Sequence, residues 1–238
     1  MSADNLYVSA DYPGVLQKLI EDQYPESTAM FINGACGNQS TRFTRKSQDF
    51  DEVCRMGNSV YKSAAEALKD ITDFNSWIEM KSLKEPVEFP KKQLPSYAEA
   101  LKRFDKAKIN KEKAESGNRE PWEVRQAVTK YQGAAITLEL NKYLKDDFKI
   151  YSEIQLMQLG DILIVGVPVE LFVEYGSEIK RISKFKNTII AGYTNNMLGY
   201  AYTPESYEDG DYEAWSSIFD INTGKFIVEK VKSLISAI

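Results

Sequence analysis

The stretch that decides the fold is Leu159-Gly-Asp-Ile-Leu-Ile-Val-Gly-Val-Pro-Val-Glu-Leu-Phe172. Its apolar run over residues 162–167 is too short for a helix and is rich in β-branched side chains, which predicts a strand buried on both faces. Pro168 ends this strand because proline has no backbone N–H to continue a ladder. The residues that follow Pro168 are therefore expected at the carboxyl edge of a sheet.

Glu170 is the first charged side chain after this predicted strand. Open α/β sheets bind ligands at the carboxyl ends of their strands, so a carboxylate at this position is a candidate functional group. The alternative is that Glu170 lies in the first turn of a helix over residues 171–183, where the helix dipole favours a negative charge. The residues alone leave both interpretations open.

The sequence around this strand predicts a mixed α/β fold, with a layered β-sheet and helices in a single domain over residues 1–238. Alternating or short apolar runs predict further strands over residues 28–32, 77–83, 87–89, 148–159 and 188–191. Helical spacing predicts helices near residues 15–21, 49–68, 174–183 and 224–238. Two more helices, over residues 96–115 and 121–144, predict a helical hairpin inserted between sheet segments at about residues 96–145.

Composition excludes several classes of partner. The chain has 238 residues, of which 43% are hydrophobic and 27% charged, as in ordinary globular proteins. The formal charge of -5 provides no electrostatic footprint for nucleic acid, and the lysine-rich stretch over residues 102–113 is interleaved with acidic residues, as on a solvated face. No apolar run reaches bilayer length and no signal-peptide pattern opens the sequence, so we expect no membrane span. The compartment stays undecided.

The chain contains no histidine. Histidine is the usual general base near neutral pH and the commonest nitrogen ligand of zinc, so a Ser-His-Asp triad cannot form from this chain alone. Any chemistry must use carboxylate, tyrosine, serine or cysteine side chains, or residues of another chain.

Two loops carry the remaining candidate residues. Asn33-Gly-Ala-Cys-Gly-Asn-Gln-Ser40 follows the first predicted strand, and its glycines allow the backbone to approach a ligand closely, which makes Gly37 and Asn38 candidate substrate contacts. Ser40 either takes part in chemistry or hydrogen-bonds its own loop, as most loop serines do. The tyrosine-rich connection over residues 192–215 is either a stacked aromatic wall or a site that needs phenolic groups.

Three ordered stretches resemble the neutral/alkaline, non-lysosomal ceramidase family. The first combines Ser9-Ala-Asp-Tyr-Pro-Gly14 with the loop that ends at Ser40, and the second runs from Gly160-Asp161 to Pro168-Val-Glu170. The third comprises Gly192-Tyr-Thr-Asn195, Gly199-Tyr200, Thr203-Pro204, Tyr207 and Tyr212-Glu213. Together they span almost the whole chain.

This resemblance implies a zinc-dependent amidase that cleaves the N-acyl bond of ceramide or a related amide. It implies that Glu170 and Tyr200 are metal ligands beside histidines, and that Tyr212 stabilises the developing oxyanion. Ser40 corresponds to the family's loop serine, as nucleophile or as positioning group. A zinc ion generates hydroxide at neutral pH and a phenol can donate to the oxygen that becomes negative, so these residue types suit amide hydrolysis.

The sequence also departs from the family. Asn38, Thr41 and Val169 replace its aspartate, proline and glycine, and its histidine-containing segment lies upstream of the Ser-Ala-Asp-Tyr-Pro-Gly motif. Two protein ligands are too few for a closed zinc site, so we expect the C-terminal portion of a catalytic domain that binds zinc weakly or not at all and is inactive alone. We expect an upstream half-domain chain or a homo-oligomer to complete it. The alternative is a non-catalytic binding or assembly protein that keeps the fold.

Overall fold

The computed structural model of the protein describes residues 5–71, 77–144 and 147–238. These residues form two compact units. We call Met1–Ile32 together with Ser40–Ile78 the N-terminal unit, and Asn33–Gln39 together with Glu79–Ile238 the sheet unit.

The N-terminal unit is a pair of helices, α1 (Asp11–Gln23) and α2 (Phe50–Lys69), with a 3-10 turn at Thr41–Phe43 between them. The Asp49 side chain caps α2 by accepting a hydrogen bond from the Glu52 backbone N–H, as expected for an aspartate at a helix start. The strand predicted over residues 28–32 is wrong, because this segment forms no ladder and Met30 is 84% exposed. A short apolar run needs a partner strand to stay extended and buried.

The sheet unit contains a four-stranded and a two-stranded sheet. The strands are β1 (Met80–Phe89), β2 (Ile150–Leu159), β3 (Ile162–Gly166), β4 (Glu170–Leu171), β5 (Asn187–Ala191) and β6 (Tyr200–Ala201). The larger sheet has the order β1-β2-β3-β5, antiparallel except for the parallel pair β3/β5, and β4 pairs with β6 in parallel. The strands predicted over residues 77–83 and 87–89 form one strand, β1, which begins at Met80. Pro86 is tolerated because β1 lies at the edge of this sheet.

In its described residues the sheet unit also contains six helices: α3 (Tyr97–Ser116), α4 (Pro121–Tyr143), α5 (Val173–Ile182), α6 (Pro204–Asp209), α7 (Tyr212–Ser216) and α8 (Thr223–Ala237). Helices α3 and α4 form a hairpin between β1 and β2, and Ser96 and Glu99 form a capping box at its start. The predicted mixed α/β fold with its inserted hairpin is confirmed, although residue 145, its predicted end, lies outside the described residues. Within the described part of the chain, no helix is both long and apolar enough to cross a membrane.

The core of the sheet unit lies on one face of the larger sheet. Leu163 and Val165 of β3 are fully buried together with Ile179 of α5 and Ile227 of α8. The intervening β3 residues are only half-buried. Burial of β3 on both faces, as predicted from its continuous apolar run, is therefore wrong.

Candidate functional site

The candidate site forms where strands β3 and β5 end side by side. Beyond β3, the Val167 N–H donates to the Ala191 carbonyl at 2.9 Å and the Glu170 N–H donates to the Gly199 carbonyl at 2.9 Å. The first bond extends the β3/β5 pair and the second joins β4 to β6, where Glu170 lies opposite Tyr200 in the ladder. Glu170 therefore belongs to a strand, and its alternative placement in the first turn of a helix is wrong, because α5 begins at Val173.

Glu170 and Tyr200 are both half-buried and lie opposite each other, so that the Tyr200 hydroxyl interacts with the Glu170 carboxylate. Burial raises the pKa of Glu170, the hydrogen bond from Tyr200 opposes that shift, and the nearby Glu213 charge adds to it. Burial also raises the pKa of Tyr200, and the Glu170 charge and hydrogen bond raise it further. Tyr200 is therefore a neutral donor at physiological pH.

Tyr212 completes a cluster with this pair, because its ring centroid lies 6.1 Å from that of Tyr200 in an edge-on arrangement at 75°. Tyr212 is the first residue of α7, whose far end is fixed by buried polar contacts. The Lys92 ammonium donates to the Ala214 carbonyl at 2.8 Å, and the Thr137 hydroxyl donates to the Trp215 carbonyl at 2.8 Å. The structure thus brings together three of the six predicted site residues, Glu170, Tyr200 and Tyr212.

Gly37 and Asn38 lie in the same unit, beside β4 and the start of α5. The Gly37 N–H donates to the Leu171 carbonyl at 2.9 Å, and any side chain at Gly37 would collide with the Glu170 backbone and the Phe172 ring. The Asn38 side chain accepts from the Val173 N–H at 3.0 Å and donates to the Glu174 carboxylate at 2.8 and 3.0 Å. Both residues thus have structural roles, and their contact with substrate remains a prediction.

Ser40 lies in the N-terminal unit, at the start of the 3-10 turn. Its hydroxyl accepts hydrogen bonds from the Arg42 backbone N–H at 3.3 Å and from Arg42 Nε at 3.0 Å. This is the local bonding that the sequence offers as the alternative to catalysis. A catalytic role for Ser40 remains a prediction.

Cys36 and Tyr193 are two further residues of the cluster that the sequence does not single out. The Cys36 Sγ lies 3.3 Å from the Tyr193 hydroxyl, and Tyr193 has a left-handed backbone with φ of 58°. Burial raises the pKa of Tyr193, and Cys36, Glu170 and Tyr200 raise it further. Tyr193 follows the carboxyl end of β5, the same kind of position that makes Glu170 a candidate. Its position after a predicted strand could therefore have indicated Tyr193 from the sequence, but no local sequence pattern links Tyr193 to Cys36.

The donor set can be compared with the needs of a zinc ion. Zinc in proteins is usually four-coordinate, and Glu170 with Tyr200 supplies two oxygen donors. No group of three or more cysteine, aspartate or glutamate side chains suited to a metal occurs among residues 5–71, 77–144 and 147–238, and the chain contains no histidine. The residues of this chain therefore fit one part of a zinc site and do not complete it.

The fold of the whole chain matches part of two solved structures. One is the neutral ceramidase from Pseudomonas aeruginosa, with a TM-score of 0.65, 18% sequence identity, and coverage of 100% of this chain and 42% of the other. The second, described as a ceramidase complexed with C2, has a TM-score of 0.67, 16% identity, and coverage of 100% and 43%. At these identities the match establishes the fold.

Sequence comparison finds the same group of proteins. The neutral ceramidase of Drosophila melanogaster is 33% identical over 98 residues, and that of Drosophila pseudoobscura pseudoobscura is 32% identical over 99 residues. The chain resembles the neutral ceramidases. These alignments cover 37% and 38% of this chain and 14% of each fly ceramidase. The neutral ceramidase of Mycobacterium tuberculosis is 29% identical over 72 residues, 28% of this chain and 11% of that protein. No protein-family model matches the chain.

Proposed function

We propose that the chain is part of a ceramidase-like amide hydrolase and carries Glu170, Tyr200 and Tyr212 of its active site. The observation that carries this proposal is the pairing of Glu170 with Tyr200 across β4 and β6, with the Tyr212 ring packed on Tyr200. The three residues are separated in sequence, and they are the ones that the ceramidase resemblance selects for metal binding and oxyanion stabilisation.

Each residue has a distinct role in this proposal. Glu170 and Tyr200 would hold a zinc ion together with ligands from outside this chain. When bound, zinc lowers the pKa of a water molecule and polarises a carbonyl group. The Tyr200 hydroxyl orients the Glu170 carboxylate, and half-burial of the pair removes part of the competing water. The Tyr212 hydroxyl donates a hydrogen bond to the amide oxygen as that oxygen becomes negative.

The test is reconstitution. The purified chain is combined with the histidine-containing portion of a neutral ceramidase and zinc, and fatty acid release from a fluorescent N-acyl sphingosine is measured. Activity should require both polypeptides and fall about 100-fold in Tyr212→Phe, the usual cost of one lost oxyanion donor. Glu170→Gln should abolish it. Exposed Glu229→Gln and Tyr143→Phe are matched controls that should leave it unchanged. Full activity of Glu170→Gln would contradict the proposal.

The absence of histidine favours a second candidate function, a binding or assembly protein that keeps the ceramidase fold. A stable complex with the second polypeptide that hydrolyses neither ceramide nor simpler N-acyl amides would support this candidate. Zinc binding by the isolated chain is a separate measurement, by equilibrium dialysis. We expect weak or no uptake because only two donors are present, so one tightly held zinc per chain would overturn that expectation.

A further inference from the structure

A groove of about 640 Å³ runs along helices α3 and α4 and meets the turn between α6 and α7. This volume is within the range of small-molecule sites, about 300–1,000 Å³. Glu170, Tyr200 and Tyr212 are not among its lining residues, so the groove is distinct from the candidate active site.

The hairpin sequence creates this space with small side chains. Ala107 and Ala114 of α3 and Ala127 of α4 line the groove. Positions 107 and 114 are two helical turns apart and therefore share one face of α3. The long side chains of Lys106 and Lys113, next to Ala107 and Ala114 in the sequence, also line the groove.

The hairpin side of the groove is mainly basic, and the carboxylate that lines it, Glu123, is paired with Arg119 at 3.1 Å. Arg103, Lys106 and Lys113 of α3 line it at spacings of three and seven residues, which place them on one helix face, and Lys130 joins them from α4. Across the part of the chain that the structure describes, none of these four cations belongs to an ion pair. We call these four residues the basic wall. A phosphate or carboxylate group suits it, because arginine and lysine bind such oxygens by charge-assisted hydrogen bonds.

The opposite side is acidic and aromatic. Glu208 and Asp209 line the groove at the end of α6 and, within the described ranges, belong to no ion pair. Gly210 follows them with φ of 71°, and a Cβ atom at Gly210 would lie 3.0 Å from Cζ2 of Trp215. The Trp215 ring therefore packs against the backbone turn that follows Glu208 and Asp209, and it lines the same groove as these two residues. An aromatic face next to carboxylates is the arrangement that binds an alkylammonium group.

We propose that this groove binds a small zwitterion. Its anionic oxygen group contacts the basic wall, and its alkylammonium group sits between Trp215 and the carboxylates of Glu208 and Asp209. Apart from Arg119 and Glu123, which pair with each other at 3.1 Å, the charged residues that line the groove are the basic wall, Glu208 and Asp209, and these six residues form no ion pair among the described residues. A ligand that carries both signs therefore complements them better than a simple anion or cation. The proposal does not depend on amidase activity.

Tryptophan fluorescence of the full chain provides the first test, because Trp122 and Trp215 line the groove and the third tryptophan, Trp77, does not. In a Trp77→Phe background, phosphocholine should produce a saturable change. Inorganic phosphate alone and choline alone should bind at least about tenfold more weakly, because each lacks one of the two charged contacts. Equal affinity for phosphate and phosphocholine, or no saturable change with phosphocholine, would overturn the proposal.

Variants locate the binding. Arg103→Gln/Lys106→Gln and, separately, Asp209→Asn should each weaken phosphocholine binding about tenfold. Lys102→Gln/Lys108→Gln changes the same helix outside the groove and should have no effect, with circular dichroism confirming that each variant folds. An equal loss in both double variants would refute the assignment to this groove.

Vesicles identify the source of the zwitterion. If the chain cosediments with phosphatidylcholine vesicles and Arg103→Gln/Lys106→Gln does not, the ligand is a lipid headgroup. If free phosphocholine binds and the vesicles do not, the ligand is a soluble zwitterion. Both results support the site.

Discussion

The N-terminal unit and the sheet unit both contain amphipathic elements but bury them to different extents. In α2 of the N-terminal unit, Phe50 and Val60 of the apolar stripe remain 50% and 40% exposed. Among the described residues of that unit, the buried ones are Leu16, Glu52, Val53 and Gly57. In the sheet unit, by contrast, a continuous cluster is buried on paired strands and on helices α5, α7 and α8.

The contrast shows that periodicity predicts an element better than it predicts burial. An apolar stripe forms a helix in either unit, but it is excluded from water only where other elements cover it. Each unit also buries one charged side chain among the described residues, Glu52 at 6% exposure and Lys92 at 7%. The buried charges Glu52 and Lys92, and the buried leucines Leu16 and Leu163, are matched pairs of residues with which the stabilities of the two units can be compared.

The largest expected difference comes from the same substitution in both units. Leu163→Ala should reduce the free energy of unfolding of the sheet unit by about 2–5 kcal/mol, because Leu163 is fully buried in a packed cluster. Leu16→Ala should cost the N-terminal unit about 1 kcal/mol, since its sparsely covered surroundings can relax. Native-state amide hydrogen exchange in β2 and α1 reports the two losses separately. Equal losses would remove the distinction between the units.

Lys92 should have the next largest effect. Its ammonium donates to the Ala214 carbonyl at 2.8 Å and to the Trp215 and Ser217 carbonyls at 3.4 Å. Lys92→Met leaves these acceptors unpaired and should cost about 1–3 kcal/mol in chemical denaturation. Exposed Lys186→Met is the matched control and should change stability by less than about 0.5 kcal/mol. A loss no larger than the control's would mean that the carbonyls find other partners.

Lys92 should also give the sheet unit a dependence on alkaline pH. Burial, followed by the Arg103 charge, lowers the pKa of Lys92 from 10.5 to about 8. Between pH 8 and 10.5 the folded state then binds fewer protons than the unfolded state, so stability should rise with pH across this range. The same denaturation series repeated on Lys92→Met should lack this rise.

Glu52 should produce the smallest effect, with a pH dependence of the same sign but in the acid range. Hydrogen bonds from Arg55 and from the Lys46 backbone N–H hold the pKa of Glu52 well below 4.5, at about 2. The stabilisation is present above pH 4.5 and is lost as the pH falls from 4.5 to 2, because in this range the unfolded state binds a proton that the folded state does not bind. Hydrogen exchange in α2 should show this loss in the parent chain and in exposed Asp70→Asn but not in Glu52→Gln. If α2 of Glu52→Gln still loses protection at low pH, a titratable group other than Glu52 causes the loss.

Much of the fold follows from local sequence. The β-branched run at residues 162–167 and the alternation at 148–159 predict β3 and β2, and the charged helical stretch over residues 96–115 predicts α3. The predictions that are wrong concern segments whose pairing or burial depends on residues distant in the sequence. Residues 28–32 find no strand to pair with, and β3 is covered fully on one face only.

Less of the candidate site than of the fold could be predicted from the residues alone. Glu170 stands out after Pro168, but Tyr200 and Tyr212 were selected by family resemblance. The ladder that joins Glu170 to Tyr200 has only two residues per strand, too few for any periodic signal. The contact between Cys36 and Tyr193 joins residues 157 positions apart, and no local pattern encodes a contact of that range.

The short ladder between β4 and β6 has a consequence for recognising distant relatives. Helix α5 and strand β5 lie between Glu170 and Tyr200 in the chain, and surface loops on either side of them tolerate insertions. Tyr200 and Tyr212 are instead joined by a compact segment that contains α6 and the left-handed turn at Gly210. A search pattern for such sites should therefore leave the gap before the first tyrosine variable and keep the gap between the two tyrosines constant.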